Sequence, residues 1–260
     1  SMEVIVMEVR NLTFSYTEGG KTILKDISFK IKQGSITSIL GANGCGKSTL
    51  FDLMTKNLKV NTGQILLNGR DIETMSQKEF ARKVAIIHQY NRVSNDITVK
   101  QLVSYGRTPY QVMMKRHNEE DERMINWAIE ATNLVDIQDR TVNSLSGGQK
   151  QRAWIAMALA QGTKFLFLDE PTTYLDIRYQ LEVLQLVERL NRDLGMTIVM
   201  VLHDINQAMY YSDRIIGLKD GNILVQGDPE KVISSYSVEQ MFGVKLDIIE
   251  ADNKKLILTI

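Results

Sequence analysis

The chain has 260 residues and 29.6 kDa, 43% hydrophobic and 24% charged, enough to bury a substantial core as one large domain or two intertwined subdomains. With 17 glycines and 3 prolines it is neither collagenous nor of low complexity. Its 31 basic and 31 acidic residues cancel, which disfavours nucleic acid held by bulk charge, and the single cysteine, Cys45, permits no intrachain disulfide or cysteine metal cluster and suits a reducing cytoplasm.

In chain order, Ser1 before Met2 reads as the remainder of an expression tag. The segment after it carries Glu3 and Glu8 and no basic stretch, so it is no signal peptide. Met7 to Tyr16 is predicted to be extended, Glu18-Gly19-Gly20 to turn, and Ile23 to Ile31 to alternate as a strand. Ser35 to Leu40 is a short, β-branched, mostly apolar strand running into glycines, and Lys47 to Leu58 reads as a helix. From about Thr98 to Ala160 the pattern turns helical. Within it Met124, Trp127, Ala128 and Ala131 fall at helical spacing and are expected to face the core. Phe165 to Leu168 is an apolar strand, Arg178 to Leu194 a helix closed by Gly195, and Ile198 to Leu202 a second apolar strand. No run nears the roughly 20 apolar residues that span a bilayer. Strands alternating with helices predict a parallel, doubly wound α/β architecture with a helical insertion. Val244 to Ile260 reads as a terminal hairpin around Asp252-Asn253.

Three stretches carry chemistry. Gly41-Ala42-Asn43-Gly44-Cys45-Gly46-Lys47-Ser48 fits the phosphate-loop pattern GxxxxGK[ST], with a strand before it and a helix after. Its glycines let backbone N–H groups turn inward around phosphates, Lys47 reaches the β/γ oxygens, and Ser48 offers a hydroxyl to Mg²⁺. A chance match in a chain this long is expected about one time in a hundred. Cys45 reads as a small spacer within the loop. Second, the strand Phe165 to Leu168 ends in Asp169 and Glu170, one carboxylate to hold Mg²⁺ through water and one to polarise an attacking water. That signal is weak alone and strong behind a phosphate loop. Third, Leu145-Ser146-Gly147-Gly148-Gln149 opens a helix with the hydroxyl, amides and helix dipole of an anion site; taken alone, an ordinary N-cap is the simpler explanation.

With these stretches in this order, the chain resembles the nucleotide-binding subunit of ABC transporters over nearly its whole length. The resemblance implies an α/β fold: a P-loop NTPase core (ABC ATPase) with an N-terminal antiparallel β subdomain and an inserted helical subdomain. One domain over 1–260 would contain the helical subdomain at approximately 98–160 and a short β tail at approximately 244–260. ATP and Mg²⁺ are the implied cofactors. The implied nucleotide contacts are Tyr16, stacked on adenine, then Gly41, Ala42, Asn43, Gly44, Cys45, Gly46, Lys47, Ser48, Thr49, Ser146, Gly147, Gly148, Gln149 and Asp176. Leu175-Asp176 matches the family's loop that crosses between subunits. Ser48, Gln89 and Asp169 are the implied metal ligands, and Glu170, His203 and Gln89 the implied catalytic groups. His203 matches the residue that contacts the γ-phosphate, and Gln89 the one linking the Mg²⁺ site to a transmembrane partner.

The family places its phosphate loop and its Ser-Gly-Gly-Gln segment on opposite faces, so the resemblance implies ATP sandwiched between two copies of the chain. It also implies permease subunits, an extracellular substrate-binding protein reached indirectly, and a place on the cytoplasmic face of the cell membrane. Tyr105-Gly-Arg-Thr-Pro-Tyr110, Thr172-Thr-Tyr-Leu-Asp-Ile177 and His203-Asp-Ile-Asn-Gln-Ala208 resemble the ATPases of bacterial importers for ferric siderophores, haem and cobalamin. The resemblance also fits a length with no added regulatory domain. Ferric siderophores, the commonest of the three cargoes, are the expected one, with haem or cobalamin as the alternative. His88 departs from relatives that often carry proline before the glutamine, which bears on the local loop. A non-transport ABC ATPase acting on nucleic acid or ribosomes is disfavoured, because there is no heptad run and no second phosphate loop.

Overall fold

Alternating apolar residues pair the first two strands. In β1 (Ile5–Ser15) and β2 (Thr22–Lys32), Met7, Val9, Leu12 and Phe14 and then Leu24, Ile27, Phe29 and Ile31 are buried, and the strands run antiparallel. β3 (Ile36–Gly41) is buried at every position and leads into α1 (Lys47–Met54). β4 (Thr62–Leu67) pairs with the other edge of β1 and with the short β5 (Arg70–Asp71).

The chain then builds α2 (Gln77–Ala81), β6 (Val84–Ile87), α3 (Val99–Ser104), α4 (Glu119–Ala131), α5 (Gly147–Ala160), β7 (Phe165–Asp169) and α6 (Ile177–Leu194). It closes with β8 (Thr197–Val201), α7 (Ile205–Tyr211), β9 (Arg214–Lys219), β10 (Asn222–Gly227), α8 (Pro229–Val232), α9 (Ser235–Phe242) and the hairpin β11 (Ile248–Ala251) and β12 (Lys254–Ile257). This computed structural model describes residues 3–93, 96–111 and 118–259. The expected tag remainder Ser1, with Met2 after it, residues 112–117 of the helical segment and Ile260 of the tail lie outside the described residues.

Two units result. Ser1–Met75 with Thr197–Ile260 form one, and Ser76–Met196 the other. In the first, β3 is flanked by β8 and β9, both parallel to it, and β10 pairs antiparallel with β9. Burial on both faces explains why β3 and β8 do not alternate and are mostly apolar. In the second, β6 and β7 pair in parallel, and α3 and α4 pack on α5. Among the described residues no helix is long and apolar enough to cross a membrane.

Two expectations fail locally. The helix predicted over Lys47 to Leu58 ends at Met54, because the Thr55 hydroxyl bonds back to the Phe51 carbonyl at 2.7 Å and Lys56 turns left-handed at φ 64°. The stripe predicted on α4 is rotated by one position. Ile125, Ala128 and Ile129 are buried, whereas Trp127 is 37% exposed, so the core face follows residues 121, 125, 128 and 129.

The segment Tyr105 to Tyr110 forms two turns of 3₁₀-helix pinned by a buried ion pair. Arg107 Nε donates to Asp121 Oδ1 at 2.8 Å, Nη1 donates to the Ala160 carbonyl at 2.8 Å, and the guanidinium lies 4.1 Å from the Tyr110 ring centre. Asp121 also accepts from the Asn118 amide, closing the capping box of α4. One guanidinium thus ties three helical pieces together. Arg107→Met should leave the Asp121 carboxylate buried without its cation and lower stability by about 3–5 kcal/mol, read from the urea unfolding midpoint. A midpoint within about 0.5 kcal/mol of wild type would show that the pair is not what holds this segment.

Candidate active site

In the first unit the loop after β3 wraps around a lysine. Gly41 has φ 155°, and a Cβ there would lie 2.6 Å from the Leu218 carbonyl oxygen, so a side chain cannot be accommodated where β3 leaves the sheet. Lys47 is 6% exposed, and its ammonium donates to the carbonyls of Gly41 (2.5 Å) and Ala42 (3.1 Å). Cys45 is buried, with its sulfur 3.9 Å from the same ammonium.

α1 starts at Gly46 with no side-chain cap and no acidic residue in its first turn. By contrast α3, α4, α5 and α9 each close their first turn with a full capping box. An uncapped helix start beside a buried ammonium is a concentration of unanswered positive potential, and it fits phosphate. The Ser48 side chain is exposed at that start. Thr49 Oγ1 is bonded to Tyr16 Oη at 2.8 Å. Tyr16 is 61% exposed and held edge-on by Phe14 at 5.1 Å, which leaves its ring open to stacking. β8 is in register with β3 at Ile39↔Val201, so the exposed His203 follows on the sheet edge where the loop begins.

In the second unit the register Ile87↔Leu168 carries Gln89 and Glu170 the same two residues beyond a matched pair. They meet: Gln89 Nε2 donates to Glu170 Oε2 at 2.5 Å, and the Thr173 hydroxyl donates to the same oxygen at 3.3 Å. Asp169 ends β7, half-buried, and Glu170 turns left-handed at φ 50°. Beside Gln89, the Asn91 amide donates to the His88 carbonyl at 2.5 Å and closes the loop that lacks the proline.

Ser146 is the N-cap of α5: its Oγ accepts from the Gln149 amide at 3.2 Å, and Gln149 Oε1 accepts from the Ser146 amide at 3.0 Å. The Ser146 hydroxyl therefore keeps its own proton to donate. A Cβ on Gly148 would fall 2.5–2.9 Å from Tyr179 atoms, and one on Gly147 2.9 Å from Leu175, so both glycines let α5 approach the start of α6. Asp176, the N-cap of α6, makes no side-chain cap bond. Ser146 and Gln149 open on a cleft of 790 Å³ that Arg152, Arg178, Tyr179 and Arg189 also line. Sequence reasoning missed these four. Arg152 lies three residues after Gln149, on the same helix face, and that spacing could have found it.

Tyr16, the phosphate loop and His203 thus belong to one unit, and Gln89, Asp169, Glu170, Ser146 to Gln149 and Asp176 to the other. The ABC transporter family model matches residues 24–173. The petrobactin import ATP-binding protein FpuC of Bacillus anthracis is 46% identical, over 92% of this chain and 88% of its own. The iron(3+)-hydroxamate import ATP-binding protein FhuC of Bacillus subtilis is 44% identical, over 93% of this chain and 90% of its own. The dimeric post-hydrolysis structure of the ATP-binding cassette MJ0796, bound to ADP and Pi, superposes with a TM-score of 0.72 at 28% identity, covering 86% of this chain and 98% of that one.

Gly148→Ala should force α5 away from Tyr179 and lower stability by about 1–3 kcal/mol in urea denaturation. Adding Tyr179→Ala should recover most of that loss. If the double variant is no better than the single one, the close approach is not the reason for glycine.

Proposed function

This chain belongs to the ABC transporter family, and on that premise we propose that it is the ATP-binding and ATP-hydrolysing subunit that powers ferric siderophore import. The observation that carries the nucleotide half is the buried Lys47 ammonium beside the uncapped start of α1. The cargo half rests on the relatives, which are named for petrobactin import and for iron(3+)-hydroxamate import.

In this reading the amides of Gly41 to Thr49 and the Lys47 ammonium bind the β- and γ-phosphates, and Tyr16 stacks on the adenine. Ser48, Asp169 and Gln89 offer the hard oxygen donors that suit Mg²⁺. Among the described residues there is no group of three or more His, Cys, Asp or Glu placed to hold a metal ion. When bound, Mg²⁺ supplies charge neutralisation across the β- and γ-phosphates. Glu170 accepts the proton of the attacking water, and His203 orients toward the γ-phosphate.

A second copy of the chain completes each site. Ser146, with its free hydroxyl proton, and the amides of Gly147 and Gly148 meet the γ-phosphate bound by the partner's phosphate loop, and Asp176 lies in the crossing segment. The dimeric MJ0796 cassette supports the pairing of two copies. Permease subunits hold the pair at the cytoplasmic face of the membrane and receive the motion through Gln89, with a substrate-binding protein delivering cargo outside.

Two substitutions separate binding from chemistry. Lys47→Ala should weaken ATP affinity by about tenfold or more in calorimetry, because a charged contact to phosphate is lost. Glu170→Gln should bind ATP normally and hydrolyse it about a hundredfold more slowly, since an amide cannot accept the proton. Wild-type turnover in the second variant would remove Glu170 from the chemistry.

Deleting the gene should abolish uptake of labelled ferric siderophore and spare growth on free ferrous iron. Gln89→Ala, in the assembled transporter, should impair that uptake while the isolated subunit still binds ATP. Loss of haem or cobalamin uptake with ferric siderophore uptake intact would leave the ATPase reading standing and reassign the cargo.

A further inference from the structure

Tyr90 follows directly on Gln89, and Tyr174 lies four residues after Glu170, the two residues that meet beyond the ends of β6 and β7. The tyrosine hydroxyls lie 3.1 Å apart and the ring centres 6.3 Å apart. Neither ring is there to fill the core: Tyr90 is 69% exposed and Tyr174 82%. Tyr174 also sits in the left-handed region at φ 62°, four residues after Glu170 does the same at φ 50°. A bulky residue in that conformation is disfavoured by about 1–3 kcal/mol, and burial offers nothing to offset it here. The turn that holds both is closed by the Thr173 amide on the Glu170 carbonyl, at 3.2 Å. What singles out a tyrosine at this strained position is the hydroxyl contact to Tyr90.

That contact spans the same two segments as the bond from Gln89 to Glu170. The first joins residues 90 and 174, the second residues 89 and 170. Each holds the other in place. Glu170 Oε2 receives both the Gln89 amide and the Thr173 hydroxyl, and lone pairs so occupied are not open to a water.

We propose that Tyr90 and Tyr174 are positioning residues that form a latch, keeping Gln89 on the Glu170 carboxylate until the two segments separate. The proposal rests on the reading of Glu170 as the proton acceptor. Release of the latch frees Gln89 and Glu170 together, so the segment that moves and the carboxylate that reacts are timed by one contact.

The test uses the full chain with Tyr90→Phe, Tyr174→Phe and the double variant, each keeping the ring and removing one or both hydroxyls. Each single variant should raise basal kcat for ATP about two- to tenfold, with KM changed less than twofold. The double variant should be no faster than the singles, because both remove the same bond. Unfolding midpoints should fall no further than the loss of one solvent-exposed hydrogen bond accounts for. An unchanged or lowered kcat, an effect on KM alone, independent additive gains, or a larger loss of stability would each overturn the latch. Glu170→Gln, measured alongside, separates the two ideas. If it is inactive while the tyrosine variants match wild type, the latch fails and the proton acceptor stands; if it turns over normally, the reading beneath the latch fails first.

Discussion

Backbone amides inside a buried parallel strand have only the neighbouring strands to satisfy them, and that constraint decides where chemistry can sit. β3 between β8 and β9, and β6 beside β7, are buried and mostly apolar along their ladders, with Thr37 and Ser38 the polar exceptions inside β3. The polar side chains of the candidate site begin where those ladders end. The phosphate loop follows Gly41, His203 follows Val201 and Leu202, Asp169 closes β7, and Gln89 and Glu170 leave their strands in step. The register of two short strands is therefore what sets a 2.5 Å contact between side chains 81 residues apart.

The same ends carry the unfavourable backbone geometry. Glycine relieves it at Gly41, whose φ is 155° and where a Cβ would press on the Leu218 carbonyl. Glu170 and Tyr174 have no such relief and stay left-handed with full side chains. Strain tolerated at residues whose side chains are needed, and avoided where only the backbone is needed, is the pattern expected where function competes with stability.

Much of this was legible in the sequence because it depends on local pattern. The phosphate loop, the strand ending in Asp169 and Glu170, and the Ser146 cap are each written in fewer than ten consecutive residues. The boundaries were less so: nothing in Lys47 to Leu58 signals that Lys56 turns left-handed, and on α4 the choice between two faces one residue apart depends on where Arg107 anchors Asp121. The motif Tyr105 to Tyr110 could be noticed but not explained, since its partners are Asp121 and the Ala160 carbonyl. The Tyr90–Tyr174 pair had no signal, because only the fold brings residues 84 apart into contact.

Each chain carries one phosphate loop and one Ser146 cap, and on the proposed reading a pair of chains has two identical composite sites related by a two-fold axis. Shifting an open–closed equilibrium from 1:99 to 99:1 requires a differential affinity of about 10⁴. Two equivalent sites share it, so about a hundredfold preference for the closed pair at each is enough. A hydroxyl proton and two backbone amides aimed at one phosphate are of the right size for that, since charge-assisted hydrogen bonds are among the stronger polar contacts. Loss of the γ-phosphate at either site then removes half of the drive. The pair reopens without any need for both sites to fire together.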